Sequence, residues 1–428
     1  MKSFVKFFIL AGCICLLNAC EDDQQTGKKP NPILKDAVTI TPTHGGAIIT
    51  YSIPKDPTIL YVMAEYNRNG KSIAVRSSVN KNSLIIEGLN TTNPVSVTLY
   101  TVSRNDEIKS DPLMVDFTPL ESPINMINRT STILIGFGGV VVAWENPAKT
   151  ELGVRLRVDS LGTMLEKDMY FSDIEFDSHA FRGFEDVETT FVVNFEDKWG
   201  NVSETKQITG TPHFETEVAK PWSDLRTTIP YDNIAELYGT YHFEKVWDGV
   251  TSGDHNVYLS VYGQPGCSMT FDLGQVVKLS RMAMWPNVER HREAASSVYG
   301  QVHIHEFEMW GTKALDPSKL PPSGPDSYWL HPLSAVQTGQ TLPDHTFMDD
   351  WVYLGRYTIT RLDLLGESQE AIYSQGEAGH HFEIPIEYEP VRIIRFFPLN
   401  AGGTAPPSGN YWQIGELSFW GNTKIPQD

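Results

Sequence analysis

The chain reads GGAIITYSIP at Gly45–Pro54 and GGVVVAWENP at Gly138–Pro147. In each stretch a glycine pair opens an apolar run. An aromatic residue, Tyr51 or Trp144, lies five positions after the second glycine, and a proline three positions further on closes the run. A short run rich in β-branched residues, bounded by glycine and proline, predicts a buried strand rather than a helix. The offset of 93 residues, from Gly45 to Gly138, matches the size of one β-sandwich, so the first half of the chain reads as a duplication.

Working outward from the first copy, Ile59–Tyr66 gives the next strand, Asn69-Gly70 a hairpin turn, and Val95–Val102 a late strand. In the second copy Thr189–Phe195 takes the late position and leads into a Trp199-Gly200-Asn201 turn. Pro119 to Pro123 marks the boundary. Two fibronectin-III-like domains are therefore expected, at 33–118 and 121–213. Long helical patterns are scarce in the rest of the chain, and turn residues recur about every ten positions, which predicts an all-β fold throughout.

The N-terminus carries Lys2 and Lys6, an apolar run Phe7–Leu17, and then Leu16-Leu17-Asn18-Ala19-Cys20. That run has the length of a signal peptide and is too short to span a bilayer. The five residues resemble a bacterial lipobox, which implies a signal peptide at 1–19 and lipidation of Cys20. Acyl chains on that cysteine would anchor the protein without a transmembrane helix. Glu21, Asp22 and Asp23 resemble the surface-export signal of Bacteroides-type lipoproteins, which implies the outer face of the outer membrane. Residues 20–32 read as lipidated cysteine and flexible tether. No later stretch reaches 18 apolar residues, so the remainder reads as soluble.

The chain has 428 residues, 40 % hydrophobic and 11 % aromatic, enough for several packed cores. A formal charge of −19 argues against nucleic acid and anionic lipid as partners. Of the four cysteines only Cys267 lies beyond the lipobox, so no disulfide is expected within the mature chain. It reads as a buried, inert thiol.

From about residue 220 tryptophan becomes frequent, with eight of the ten in this half. Four segments in order resemble the discoidin, or coagulation-factor type C, family of galactose-binding-like jelly rolls. They are Val246-Trp247-Asp248-Gly249; Met269–Gly274 running into Leu279–Met284; His305–Gly311; and Ile414–Gly421. Val391–Phe396 precedes the last of them. The resemblance implies a discoidin-like domain at 220–422, with an insertion near 312–348. The two tandem copies likewise resemble the N-terminal domains of Bacteroides surface lipoproteins that accompany glycan-import systems.

Sugars are recognised by a flat aromatic face and by paired donors and acceptors on the hydroxyls. In the discoidin family the ligand loops match positions 286–300, a polar loop here, which is expected to meet 400–412 at one end of the roll. The candidate ligand residues are Trp285, Asn287, Arg290, His291, Arg292, Tyr411 and Trp412; the competing reading makes Trp285 and Trp412 core and the arginines solvated. Carbohydrate-binding members of the family hold a structural calcium near a D-G loop and a C-terminal carboxylate. That carry-over points to Asp248, Asp254 and Glu416, with a plain Asx-turn at Asp248 as the alternative.

Other chemistry is sparse. His303 and His305 alternate along a strand with Phe307 and Met309, the pattern of a buried stripe as much as of a metal pair. Phe181-Arg182-Gly183-Phe184 reads as a turn with one Arg–carboxylate contact. No H-E-x-x-H, G-x-S-x-G or P-loop pattern is present, so no enzyme is expected. The chain thus reads as a lipid-anchored surface protein that binds polysaccharide or oligosaccharide, accessory to its capture and uptake. One alternative is a structural or interaction subunit docking on an outer-membrane transporter complex, with neighbouring glycan-import proteins as partners. Another is a glycoside hydrolase with an unrecognised site.

Overall fold

A computed structural model describes residues 28–427 apart from 105–106, 161, 233, 235, 237–238, 252–255, 261–267, 301–302 and 402–411. The expected signal peptide, Cys20, most of the tether, Asp254, Cys267 and Tyr411 lie outside the described residues. The regular structure is predominantly strand, in several sheets with short helices between them, so the fold is all-β and multi-domain.

The first seven strands are β1 (Val38–Thr43), β2 (Gly46–Tyr51), β3 (Ile59–Arg68), β4 (Lys71–Ser78), β5 (Ser83–Ile86), β6 (Val95–Ser103) and β7 (Leu113–Phe117). They form two facing sheets, β1-β2-β5 and β4-β3-β6-β7. The next seven are β8 (Thr132–Gly136), β9 (Gly139–Glu145), β10 (Leu152–Ser160), β11 (Thr163–Ser172), β12 (Phe176–Phe181), β13 (Thr189–Asp197) and β14 (Lys206–Gly210). Their sheets, β12-β9-β8 and β11-β10-β13-β14, repeat the same three-plus-four order.

The repeated glycine pair has a structural cause. Gly45 and Gly138 turn the chain at φ +68° and +61°, a region side chains disfavour. Gly46 and Gly139 then start the inner strand, where a Cβ would stand 1.9 Å from the Ile86 carbonyl oxygen and 2.0 Å from that of Phe181. Beyond the pair, alternation buries Ala47, Ile49 and Tyr51 in one core and Val140, Val142 and Trp144 in the other. Trp144 meets Phe195 and Tyr170 edge-on at 6.0 and 6.1 Å. At the β3–β4 hairpin Asn69 (φ 52°) and Gly70 (φ 77°) form a two-residue turn of the mirror-image type whose twist matches its strands.

Polar contacts fix both joints between domains. Asn69 Nδ2 donates to Asn201 Oδ1 at 2.8 Å, and Asn201 Nδ2 donates to the Gly88 carbonyl at 3.0 Å, so the Trp199-Gly200-Asn201 turn docks on the first sandwich. At the second joint Arg182 Nη1 donates to Glu215 Oε1 at 2.6 Å, and its other terminal nitrogen reaches Glu383. The Phe181–Phe184 turn therefore serves an inter-domain contact with two carboxylates, where a single contact was expected.

The last ten strands are β15 (Thr216–Glu217), β16 (Ser223–Asp224), β17 (Tyr258–Leu259), β18 (Met269–Trp285), β19 (Ile304–Thr312), β20 (Val352–Thr358), β21 (His380–Glu383), β22 (Val391–Ala401), β23 (Gln413–Ile414) and β24 (Glu416–Asn422). The main path runs β15-β24-β18-β22-β19-β20, with β16 and β21 also on β18 and β17 paired with β23. The 17-residue β18 shifts register at two points and so bends to serve neighbours on both faces of the roll.

Five of the eight tryptophans of this half, Trp222, Trp247, Trp329, Trp351 and Trp412, are core material. Trp222 stacks on Phe271 at 5.2 Å, beside Trp247 and Phe419. Trp329, within the insertion expected near 312–348, and Trp351, just after it, build a second core with Phe347 and Phe397. Arg395 is buried in that core. It donates to the carbonyls of Trp329 and Pro230 at 3.0 Å each and faces Asp232, while the Phe347 ring lies 4.5 Å from its guanidinium carbon. No helix among the described residues is long and apolar enough to cross a membrane.

Candidate functional site

The segment after β18 begins inside the protein and ends outside it. Asn287, Val288 and Glu289 are buried, whereas Arg290, His291, Arg292 and Glu293 are exposed. A helix, Gln369–Ala378, packs against this segment. Ser368 caps it by accepting from the Ala371 N–H, and Gln369 Oε1 accepts the Ala294 N–H at 2.8 Å.

Glu370, Tyr373 and Glu377 share one helix face by their spacing of three and four. Arg290 lies across that face. Its Nε and Nη2 donate to Glu377 at 2.5 and 2.8 Å, its Nη1 and Nη2 donate to Glu370 at 3.1 Å each, and its Cζ stands 4.9 Å from the Tyr373 ring centre. The two carboxylates hold the guanidinium pKa above its ordinary value, and Arg290 holds that of Glu377 below the usual carboxylate range. Tyr373 donates to the backbone carbonyls of Arg290 and Arg292, which fixes the loop. The His291 side chain is 62 % exposed beside it, and Arg292 pairs with Glu289. The result is an open patch of forked donors and acceptors held in place by a helix.

The other sequence candidates fall elsewhere. Trp412 is 2 % exposed, packs edge-on to Tyr258 at 5.3 Å, and donates its backbone N–H to Ser260 Oγ at 2.9 Å. It belongs to the core, and the ligand role expected for it is corrected accordingly. Asn287 is likewise buried and donates to Glu289 Oε1 at 2.9 Å, so it supports the loop from beneath. Trp285 is half-buried, with the backbone of Gly379 and the His381 ring against its indole. His303 lies inside with Phe307 and Met309, which is the buried stripe.

The calcium expectation meets a different donor set. Asp248 Oδ1 accepts the Val250 N–H at 2.9 Å, an Asx-turn, and its carboxylate is bonded by Asn256 Nδ2 at 3.2–3.3 Å. Glu416, at the start of β24, is 1 % exposed. One oxygen accepts the Gly249 N–H at 3.2 Å and the other is paired with Lys220. Burial pushes the Glu416 pKa up to about 7 against the opposing pull of Lys220. Among the described residues, Asp248 and Glu416 turn their carboxylates to other partners and do not offer the converging oxygens, six to eight in number, that a calcium ion takes; Asp254 lies outside the described residues. A separate cluster, Glu236, His242 and Glu244, has ligand atoms within 4.8 Å of one another, but Glu236 already accepts from Arg226 at 3.2 Å and from the Phe243 N–H at 3.0 Å.

A cleft on the second sandwich escaped the sequence reading. It encloses about 470 Å³ above β10 and β11, with Met169, Phe171, Glu151, Asp173 and Lys198 among its walls. Phe171 is 71 % exposed there, and Phe176 and Ile174 stand exposed nearby. The signal was available: Met169 and Phe171 flank inward-facing Tyr170, so alternation turns two apolar residues outward on an edge strand.

Comparison with known proteins gives likenesses among solved structures and among family models. The SusE-like protein BT2857 aligns over 70 % of this chain and 99 % of its own at 19 % identity, with a TM-score of 0.38. A family 32 carbohydrate-binding module of Clostridium perfringens NanJ, solved with galactose, aligns over 48 % of this chain and 98 % of its own at 11 % identity, with a TM-score of 0.27. A segment of two fibronectin type III domains from chicken tenascin aligns over 42 % and 99 % at 14 % identity, with a TM-score of 0.19. No curated protein matches the sequence. Three family models match in succession, each described as a domain of unknown function: DUF4959 over residues 30–119, DUF5126 over 120–221 and DUF5000 over 247–421.

Proposed function

We propose that this protein is a lipid-anchored glycan-binding protein of the outer cell surface, accessory to the capture and uptake of polysaccharide. The observation that carries the reading is the Arg290 patch. Arg290, Glu370 and Glu377 present donors and acceptors on one open surface, held by the helix Gln369–Ala378 before any ligand arrives, with His291 exposed beside them. Vicinal hydroxyls of a sugar match such forks, and groups already ordered cost less entropy on binding. The lipobox-like residues ending at Cys20 support the anchor, and the two bonded joints support carriage of this patch on domains fixed to one another.

The test is titration of the purified protein against plant, host and microbial polysaccharides by calorimetry and affinity electrophoresis. Binding to at least one is expected, weakened tenfold or more by Arg290→Ala and by His291→Ala, which corresponds to about 1.4 kcal/mol or more in binding. Absence of binding, or binding that both variants retain, removes the reading. Release of reducing sugar from the same panel would point instead to a glycosidase.

One observation favours a second reading, an interaction subunit of a glycan-import assembly. Phe171, Phe176 and Ile174 stand exposed around the edge strand β11 of the second sandwich, an apolar surface of the kind that protein partners cover. Site-specific crosslinking from position 171 in whole cells, with and without glycan, tests it. A discrete neighbour captured without sugar supports docking, and none captured in either condition removes it.

A further inference from the structure

The charge on Glu416 poses a problem of its own. A carboxylate this deeply enclosed requires a countercharge, because an isolated buried charge is far costlier than a buried pair. The countercharge comes from the segment that leads into the jelly roll. β15 pairs with β24 at Thr216–Gly421 and Glu217–Trp420, and β16 pairs with β18 at Ser223–Asp272 and Asp224–Phe271. Lys220 lies between these two short strands, so docking the segment delivers its ammonium to the first residue of β24.

The ammonium is fully engaged there. Its Nζ pairs with Glu416, donates to Ser418 Oγ at 2.8 Å, stands 3.8 Å from Glu217 and lies 5.6 Å from the centre of the Trp222 ring. Ser418 Oγ in turn donates to Glu217 Oε1 at 2.8 Å, which closes the network. The D-G loop joins from the other side through the Gly249 N–H on Glu416, while Asp248 turns its own carboxylate to Val250 and Asn256.

We infer that the Lys220 ammonium is the resident cation of this jelly roll, joining the D-G loop, the last strand and the incoming linker in the role a divalent ion would otherwise fill. The Glu416 site is therefore independent of calcium. Its C-terminal domain is closed by the covalent chain that precedes it, not by an ion drawn from the medium. This inference is independent of which ligand the Arg290 patch takes, since its readouts are heat stability and calcium binding.

The experiment uses the full chain, stripped with EGTA, in thermal unfolding and calorimetric titration with CaCl2. The wild type is expected to show no heat of calcium binding and no shift of its transition in millimolar calcium. Lys220→Met is expected to lower that transition by on the order of 10 °C. Adding Glu416→Gln to Lys220→Met recovers part of the loss, because the orphaned charge is gone. Where Lys220→Met does not fold, the double variant must. A wild-type transition that rises with calcium and loses the rise in Glu416→Gln overturns the inference. So does Lys220→Met as stable as the wild type, or a double variant no better than the single one.

Discussion

Arg182 Nη1 lies 2.6 Å from Glu215 Oε1, and this pair ties the second sandwich to the jelly roll. The same carboxylate oxygen accepts Ser280 Oγ at 2.5 Å and faces Arg281 Nε at 3.4 Å, so Glu215 is the shared anion between two guanidinium groups. Removing it leaves Arg182 and Arg281 facing each other across a largely buried contact. Glu215→Ala is expected to cost about 3 kcal/mol and to loosen the joint. Small-angle scattering checks this through a larger maximum dimension, and limited proteolysis through new cleavage within residues 211–222. An unchanged scattering profile would mean that other contacts hold the joint.

The two glycines of each pair are predicted to differ in cost. Gly45→Ala strains one turn residue at φ +68°, worth about 1–2 kcal/mol. Gly46→Ala drives a methyl group into a carbonyl oxygen 1.9 Å away on the neighbouring strand, worth about 3 kcal/mol or more. Gly139→Ala is expected to match Gly46→Ala, since its Cβ would meet Phe181 in the same way at 2.0 Å. Chemical denaturation of the four single variants at positions 45, 46, 138 and 139 checks the ranking. Equal costs within each pair would refute the crowding argument.

What was legible in the sequence was local. The glycine pairs, the Asn69-Gly70 turn, the Asx-turn at Asp248 and the His303 stripe each declare themselves within ten residues, because backbone sterics and alternation act at that range. The pairings that define the molecule do not. Lys220 and Glu416 are 196 positions apart and Arg182 and Glu383 are 201 apart, and no local pattern marks either. Tryptophan frequency also misled, since a jelly roll needs large rings to fill its core as much as a sugar site needs them at its surface. Trp412 fills Tyr258's neighbourhood, Trp329 covers Arg395, and Trp351 packs edge-on against Trp329.

Two buried imidazoles set a pH dependence. Burial, then the neighbouring His380, pushes the His303 pKa from 6.5 down to about 3; burial, then His381, pushes His380 down to about 4. His303 bonds with Gln413 Nε2 at 2.9 Å, and His380 Nε2, in the small cavity it shares with Met284, Trp285 and Val298, has no partner among the described residues. Both rings stay neutral in the folded chain, whereas the unfolded chain protonates them below 6.5. Their contribution to stability is complete above that value and declines as pH falls toward 4 and then 3, by about 1.4 kcal/mol per pH unit for each ring. Glu416 works in the opposite sense: its raised pKa gives stability at low pH that is lost as pH rises through about 7. The difference between wild type and His380→Leu in urea midpoints across about pH 7 to 5 isolates the imidazole. A wild type and a variant with the same slope would contradict it.

Trp412 and Arg290 separate stability from binding. Trp412→Ala empties a site enclosed by Tyr258 and the strands around it, and is expected to cost about 3–5 kcal/mol. Glycan affinity per folded molecule should stay at the wild-type level, because the indole presents no surface. Arg290→Ala removes a solvent-facing guanidinium whose two carboxylate partners can rehydrate, so the melting transition should hold while affinity falls. Measuring melting temperature and affinity on both variants in one buffer gives a crossed pattern. If Trp412→Ala loses affinity without losing stability, the ring contacts ligand. If Arg290→Ala loses stability and keeps affinity, the helix Gln369–Ala378 is a structural brace, and the ligand surface lies elsewhere on the chain.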